Sequence, residues 1–126
     1  MEGIVASRTA LIIDDDYAFA QFAKILLESC GIVSTITLDG DMGVAAAEAE
    51  HPDVIFMDIK MPGLNGIDAV RLLKSNPQTA NIPIILCSMS NDPKEVEKAL
   101  GAGAAQFLHK PLKREELQAC LDKAFP

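Results

Sequence analysis

The fold is decided first by residues 10–16, Ala-Leu-Ile-Ile-Asp-Asp-Asp, where a continuous apolar run ends at three acidic side chains. A run of this length is typical of a strand buried on both faces of a sheet. Residues 54–57 (Val-Ile-Phe-Met) and 84–87 (Ile-Ile-Leu-Cys) have the same character. Residues 33–38 mix Ser and Thr with apolar side chains, as an edge strand does, and residues 107–108 form a weaker run. These runs predict five strands.

Helical patterns lie between the strand runs. Apolar side chains spaced three and four residues apart predict amphipathic helices whose apolar stripes pack in the core. Strict alternation of strands and helices predicts a single α/β domain, a doubly wound five-stranded parallel sheet with helices on both faces. Three helices are predicted over residues 41–50, 65–74 and 92–100, and the last of these three has an apolar stripe of Val96, Ala99 and Leu100. A first helix has a stripe of Phe19, Phe22, Ala23 and Leu26, and a C-terminal helix has a stripe of Leu117, Cys120, Leu121 and Ala124.

The composition is that of one globular domain. With 126 residues, 49% of them hydrophobic, the chain can bury a core without disulfides or structural metal. Its 18 acidic and 11 basic side chains give a net charge of −7, which argues against direct binding to nucleic acid. No apolar run approaches the ~20 residues of a membrane span. We therefore expect a cytoplasmic protein without direct nucleic-acid or membrane contact, with its domain over residues 9–126 and an N-terminal extension over residues 1–8.

Cysteine and histidine give no sign of a metal or redox centre. Cys30, Cys87 and Cys120 are widely spaced in apolar surroundings, and we interpret them as reduced core residues. His51 and His109 lack a partner at metal-ligand spacing and are predicted to be non-catalytic.

Polar side chains follow four of the predicted strands. These are Asp14 and Asp15, then Asp58, Ser88 and Lys110. Because the carboxyl ends of parallel strands meet at one edge of a sheet, we expect these groups to converge in one cleft. Clustered carboxylates repel one another, and a hard cation, Mg²⁺ or Mn²⁺, is the natural counter-charge.

Together these groups predict a site for a phosphoryl group. A metal, the ammonium of Lys110 and the hydroxyl of Ser88 can all stabilise phosphoryl oxygens. The chain has no glycine-rich phosphate loop, so the predicted acceptor is a carboxylate, and Asp58 is the best candidate. Each residue alone has an ordinary alternative role, for example Asp16 as a helix cap or Asp58 in a turn, and only their convergence favours a functional site.

The pattern resembles a known family, the receiver domains of two-component response regulators, in particular the chemotaxis regulators. The matching segments are residues 10–16, 57–66 (Met-Asp-Ile-Lys-Met-Pro-Gly-Leu-Asn-Gly), 83–88 (Pro-Ile-Ile-Leu-Cys-Ser), 103–104 (Gly-Ala) and 107–111 (Phe-Leu-His-Lys-Pro). The resemblance implies a flavodoxin-like sheet with strand order 2-1-3-4-5.

The resemblance also implies roles at the metal and phosphoryl sites. Asp58 matches the residue that accepts the phosphoryl group. Asp15 matches the direct metal ligand, and Asp14 matches a residue that acts largely through water. The backbone carbonyl of Lys60 and the carboxylate of Asp58 would complete the protein's metal ligands.

Three further residues match the groups that sense the phosphoryl group. Ser88 matches the hydroxyl residue that turns toward it, and Lys110 matches the lysine that pairs with it, followed by a cis bond to Pro111. Phe107 matches the aromatic switch residue, which is often Tyr in the family. Met89 stands where a small residue is usual, and its bulk would restrict access to the site.

These roles imply a phosphorylation-dependent signalling switch. A histidine kinase or phosphotransfer protein would donate the phosphoryl group in a Mg²⁺-dependent reaction. The chain would be no enzyme beyond its own phosphoryl transfer and autodephosphorylation. No output module lies within the sequence, so the signal is expected to reach a downstream protein through the fourth helix, fifth strand and fifth helix of a monomer or weak dimer.

Three alternatives are open at this point. A phosphohydrolase with an aspartyl-phosphate intermediate would want a second acid two residues after its nucleophile, where Lys60 follows Asp58 but Asp16 follows Asp14. A flavodoxin-like electron carrier would have to bind FMN phosphate beside residues 14–16, which would repel it. A phosphorylation-independent docking scaffold is disfavoured because every functional position is filled.

Overall fold

The computed structural model describes residues 7–126 of the chain. Along them, five strands alternate with five helices, as predicted. The predicted N-terminal extension falls mostly on residues 1–6, outside the described residues, so its boundary stays a prediction. The strands are β1 (Thr9–Ile13), β2 (Val33–Thr37), β3 (Val54–Asp58), β4 (Ile84–Ser88) and β5 (Gln106–His109), and the helices are α1 (Tyr17–Ser29), α2 (Gly40–Glu50), α3 (Gly66–Ser75), α4 (Pro93–Ala102) and α5 (Arg114–Ala124).

The strands form one sheet in the order β2-β1-β3-β4-β5, and each neighbouring pair is parallel. This confirms the predicted doubly wound α/β fold and its flavodoxin-like order. Ile13 lies opposite Met57 and Asp58 lies opposite Cys87, so the central strands finish at nearly the same level. The strand order reverses between β1 and β3, which is where a sheet of this kind opens a crevice at its carboxyl edge.

The core has two halves, one on each face of the sheet. Successive side chains of a strand point to opposite faces, so Ile55 and Met57 pack toward α2, α3 and α4, whereas Val54 and Phe56 pack toward α1 and α5. Burial on both faces explains why these strands are continuous apolar runs. Each fully buried aliphatic side chain contributes about 1.5–3 kcal/mol, so both halves hold the carboxyl edge of the sheet rigidly in place.

The predicted apolar stripe of α1 is partly wrong. Phe22 is 44% exposed, and Phe19 and Leu26 are only partly buried, whereas Ala20, Ala23 and Leu27 are in the core. Alanine side chains let the helix approach the sheet closely, and the bulkier rings are displaced to its flank. The periodicity thus identified the helix but not the phase of its buried face.

Helix α4 is the most weakly anchored of the five. Ala99 is its only buried residue, whereas each other helix buries three or more. Leu100, predicted in the core stripe, is 46% exposed. The helix ends at Gly103, whose φ of 117° is in the left-handed region that favours glycine. With so few core contacts, the position of α4 depends strongly on its polar contacts.

The cysteines mostly lie where the sequence predicts. Cys87 and Cys120 are buried, whereas Cys30 is only half-buried, at the end of α1, and all three are free thiols. Burial raises the pKa of Cys87 and raises the pKa of Cys120 to about 12. Both thiols are therefore protonated and unreactive at neutral pH.

Helices in residues 7–126 all lack the combination of length and apolar character that a membrane span requires.

Candidate functional site

The predicted site residues come together at the carboxyl edge of the sheet. Carboxylate oxygens of Asp14, Asp15 and Asp58 lie within 4.8 Å of one another. The Lys110 ammonium lies 2.8 Å from Asp14 Oδ2 and 3.4 Å from Asp58 Oδ1. The cis bond predicted between Lys110 and Pro111 is present. Side chains from strand ends far apart in sequence thus form one acidic cluster. Among the described residues, Lys110 is the one ammonium that pairs with it.

Local structure fixes two members of this cluster. Asp16 caps α1, because its carboxylate accepts a hydrogen bond from Phe19 N at 3.1 Å. Asp14 accepts one from Asp16 N at 2.9 Å and is only 1% exposed. The three consecutive acids therefore divide their roles: Asp16 is structural, Asp14 is buried beside Lys110, and Asp15 is exposed.

A glycine lets the site lie against α3. Gly66 begins this helix, and its amide donates to the Ile59 carbonyl at 2.8 Å. A Cβ at Gly66 would collide with the carbonyl oxygen of Asp58. Any larger residue would push α3 away from the strand that carries Asp58, so the close packing behind the site requires glycine here.

Burial and the neighbouring charges shift the pKa values of Asp58 and Lys110. Burial and the neighbouring Asp14 carboxylate raise the pKa of Asp58, although Lys110 opposes them. Burial alone would lower the pKa of Lys110, but the hydrogen bond from Lys110 to Asp14 and the charges of Asp14 and Asp58 outweigh it, so the pKa of Lys110 is raised. Lys110 is therefore a permanent cation at neutral pH.

The donor set fits a hard divalent cation. Mg²⁺ takes oxygen ligands and needs only one or two carboxylates besides water. Within residues 7–126 the Asp15 carboxylate has no hydrogen-bond or ion-pair partner, so it is available, whereas Asp14 and Asp58 each share Lys110. Lys60 lies exposed, two residues after Asp58, and the metal role predicted for its carbonyl stays a prediction.

Ser88 and Phe107 have their contacts outside the cluster of Asp14, Asp15 and Asp58. Ser88 is 4% exposed, and its hydroxyl donates to Glu95 Oε1 at 2.9 Å. Phe107 is half-buried, packs against the α3 and α4 side of the core, and meets the edge of the His109 ring at 5.4 Å between centroids. His109 is thus part of an aromatic contact, with no metal-ligating partner in the described chain.

Sequence reasoning missed two contacts at the site. Glu95 follows the helix cap by three residues and suggests only capping. Phe19 was assigned to the core, but the Lys110 ammonium lies 4.1 Å from its ring centroid. A cation over an aromatic face is attracted by the ring quadrupole. Neither contact has a local signal, because each joins residues from different elements.

The raised pKa of Asp58 leads to a stability prediction. Its pKa lies above the ordinary value of 3.8, so ionising Asp58 costs more in the folded chain than in the unfolded chain. Asp58→Asn removes this cost and keeps an oxygen acceptor. We therefore expect a higher melting temperature at pH 7 without metal. In thermal scans from pH 3 to 8, the gain should grow as the pH rises from about 3.8 and be complete above the raised pKa.

Two further variants control this prediction. Asp122→Asn changes an exposed acid on α5 and should leave the melting temperature unchanged. Asp14→Ala should lower it, because the Lys110 ammonium loses its 2.8 Å partner in a buried setting. A lower melting temperature for Asp58→Asn would mean that Asp58 stabilises the fold.

The chain is similar in sequence to proteins of one known family. Residues 10–122 match the response regulator receiver domain. The DNA-binding response regulator MtrA of Mycolicibacterium paratuberculosis is 32% identical over 109 residues, which cover 86% of this chain and 47% of MtrA. The chain thus spans about half the length of that relative. Protein PilH of Pseudomonas aeruginosa is 38% identical over 109 residues, which cover 85% of this chain and 88% of PilH.

A solved structure agrees with these relatives. The receiver domain of the sensor histidine kinase PA1611 from Pseudomonas aeruginosa, with a magnesium ion coordinated in its active-site cleft, has a TM-score of 0.86 and 31% identity. The likeness covers 94% of this chain and 97% of that one. Since the family match extends over nearly the whole described chain, this protein belongs to the response regulator receiver domains, a family of phosphorylation-dependent signalling switches.

Proposed function

We propose that Asp58 accepts the phosphoryl group in this chain, from a histidine kinase or phosphotransfer protein, in a Mg²⁺-dependent reaction. The observation that carries the proposal is the Lys110 ammonium, 2.8 Å from Asp14 and 3.4 Å from Asp58, inside a cluster of three carboxylates. This arrangement can neutralise an incoming phosphoryl group next to a carboxylate oxygen. Incubation with acetyl phosphate and Mg²⁺ should add one phosphoryl group, detected by intact mass, and no addition would contradict the proposal.

The residues divide the chemistry among them. A carboxylate oxygen of Asp58 forms the new bond to phosphorus while the donor's bond to phosphorus breaks. Lys110 pairs with a phosphoryl oxygen and orients it. Asp15 would hold the metal directly, Asp14 through water, and Lys60 through its carbonyl. When bound, Mg²⁺ or Mn²⁺ would supply positive charge to the phosphoryl oxygens.

Phosphorylation would then be read by Ser88 and Phe107. A phosphoryl oxygen on Asp58 attracts the Ser88 hydroxyl, and the Phe107 ring moves into the space that Ser88 leaves. The change would reach the surface of α4, β5 and α5, where we place the contact with a downstream protein. Charges of both signs on α4 and α5 favour a switchable contact over an obligate one, so we propose a monomer or weak dimer.

Ser88→Ala should separate chemistry from switching. We expect it to accept phosphate from acetyl phosphate, because Asp58 and Lys110 are intact. We also expect amide shifts of α4 and β5 on phosphorylation to fall to about a third of the wild-type changes, since the coupling hydroxyl is lost. Amides of α2, on the far side of the edge strand, provide the reference, and Ser75→Ala is the control. Loss of phosphorylation itself in Ser88→Ala would refute this division.

Family membership disfavours the alternatives of a phosphohydrolase, an electron carrier and a phosphorylation-independent scaffold. We propose that the only reactions of the chain are its own phosphoryl transfer and autodephosphorylation. We also propose that it acts in the cytoplasm, without direct contact with nucleic acid or membrane, because its net charge of −7 would repel both anionic surfaces.

A further inference from the structure

A hydrogen bond joins the end of β4 to the first turn of α4. The Ser88 hydroxyl donates to Glu95 Oε1 at 2.9 Å, and Ser88 is almost completely buried. The same hydroxyl oxygen accepts a hydrogen bond from Ser90 N at 3.0 Å. Both of these contacts act on the group expected to sense the phosphoryl group.

Glu95 stands at a position where glutamate often caps a helix, but its contact with Ser88 is not a capping contact. Glu95 lies three residues after the N-cap Asp92, where a glutamate commonly reaches back to the N-cap amide. Here that amide donates instead to Ser90 Oγ at 3.1 Å. The Glu95 carboxylate is therefore directed at Ser88, while another residue performs the capping.

The hydroxyl of Ser88 has a single hydrogen to donate. In the structure that hydrogen is committed to Glu95. A phosphoryl oxygen on Asp58 would need the same hydrogen, so the two anionic acceptors exclude one another. Both bonds are charge-assisted, and the outcome of the competition sets the balance between the two states.

We propose that Glu95 is a positioning residue that holds the Ser88 hydroxyl away from Asp58 until a phosphoryl group displaces it. The inference rests on the proposed role of Asp58. Displacement breaks a side-chain link between β4 and α4, and α4 buries only Ala99 in the core. Loss of this link therefore weakens the attachment of α4 to the sheet, so the effect of phosphorylation is transmitted to this helix.

The test is a titration with beryllofluoride and Mg²⁺, a stable mimic of the phosphoryl group, followed by calorimetry and amide shifts. Glu95→Ala should bind beryllofluoride about tenfold more tightly than the wild type, because no carboxylate competes for the hydroxyl. Glu95→Gln, which keeps a neutral acceptor, should lie between the two. The unliganded Glu95→Ala protein should also show amide shifts in α4 displaced toward the bound positions.

Removing a negative charge could by itself favour an anion, so two controls are needed. Glu97→Ala removes an exposed carboxylate from the same helix, and this carboxylate has no hydrogen-bond or ion-pair partner within residues 7–126. The affinity for beryllofluoride should be unchanged in this variant. In a Ser88→Ala background, Glu95→Ala should give no further gain, because there is no hydroxyl to release.

The outcomes separate this inference from the proposed function. Equal affinity of the wild type and Glu95→Ala, or a gain that persists in the Ser88→Ala background, would overturn the role of Glu95 alone. Binding that is absent from the wild type, or unaffected by Asp58→Asn, would overturn the proposed function and this inference with it.

Discussion

Asp58→Asn is expected to abolish phosphorylation by acetyl phosphate completely. The carboxamide lacks the anionic oxygen that forms the bond to phosphorus, whereas its shape and its contacts with Ile59 N and Lys110 can be largely preserved. Intact mass after incubation with Mg²⁺ should show the unmodified chain alone, while the wild type gains one phosphoryl group. The effect is the largest expected of any substitution, because it removes the reacting atom.

The matched control is Asp122→Asn, which makes the same change at an exposed acid on α5. It should be phosphorylated as fast as the wild type. Asp58→Asn should also keep a cooperative thermal transition. This would show that the variant is folded and that its loss of phosphorylation is not caused by unfolding. Full phosphorylation of Asp58→Asn would mean that another acid of the cluster, Asp14 or Asp15, accepts the group.

Asp15→Asn is expected to remove metal binding. Asp15 is the exposed member of the cluster, and its carboxylate is free of partners within the described chain, whereas Asp14 is bound to Lys110. Loss of a direct ligand should weaken Mg²⁺ by at least about 100-fold, since even outer partners of metal ligands contribute 10- to 100-fold. Calorimetric titration with Mg²⁺, repeated with Mn²⁺, measures the effect.

Asp16→Asn is the control for this second prediction. It removes the same charge from the next residue, and asparagine can still cap α1 as Asp16 does. Its affinity for Mg²⁺ should fall slightly, because the negative charge near the site is reduced. This loss should be much smaller than that of Asp15→Asn. Equal losses in the two variants would mean that the acidic run attracts the cation only through its total charge. Unchanged binding in Asp15→Asn would refute the ligand assignment.

The sheet was predictable because its signals are local. Residues 54–57 are apolar throughout, which requires burial on both faces and therefore helices on both sides of a parallel sheet. Once the strands are parallel, their carboxyl ends must share an edge. The convergence of Asp14, Asp58 and Lys110 follows from that topology without any knowledge of distances. The strand order came from the family resemblance, and the structure confirms it.

Packing between elements was less predictable. An apolar period of three and four residues marks a helix, but alanine is compatible with either face of it. Only contact with the sheet decides that Ala20 and Leu27 lie inside while Phe22 is 44% exposed. In α4 the same ambiguity placed Leu100 in the core, whereas it lies on the surface.

The sequence by itself determined which chemical groups stand at the ends of the strands, because residue type and strand periodicity are properties of the chain. Only the tertiary structure decided which hydrogen-bond and ion-pair partners those groups have. Lys110 meets Asp14 across 96 residues of sequence, and Ser88 donates to Glu95 instead of turning toward Asp58. A hydrogen bond depends on distances of a few tenths of an ångström, and these are set by how helices and strands pack, which no local pattern encodes.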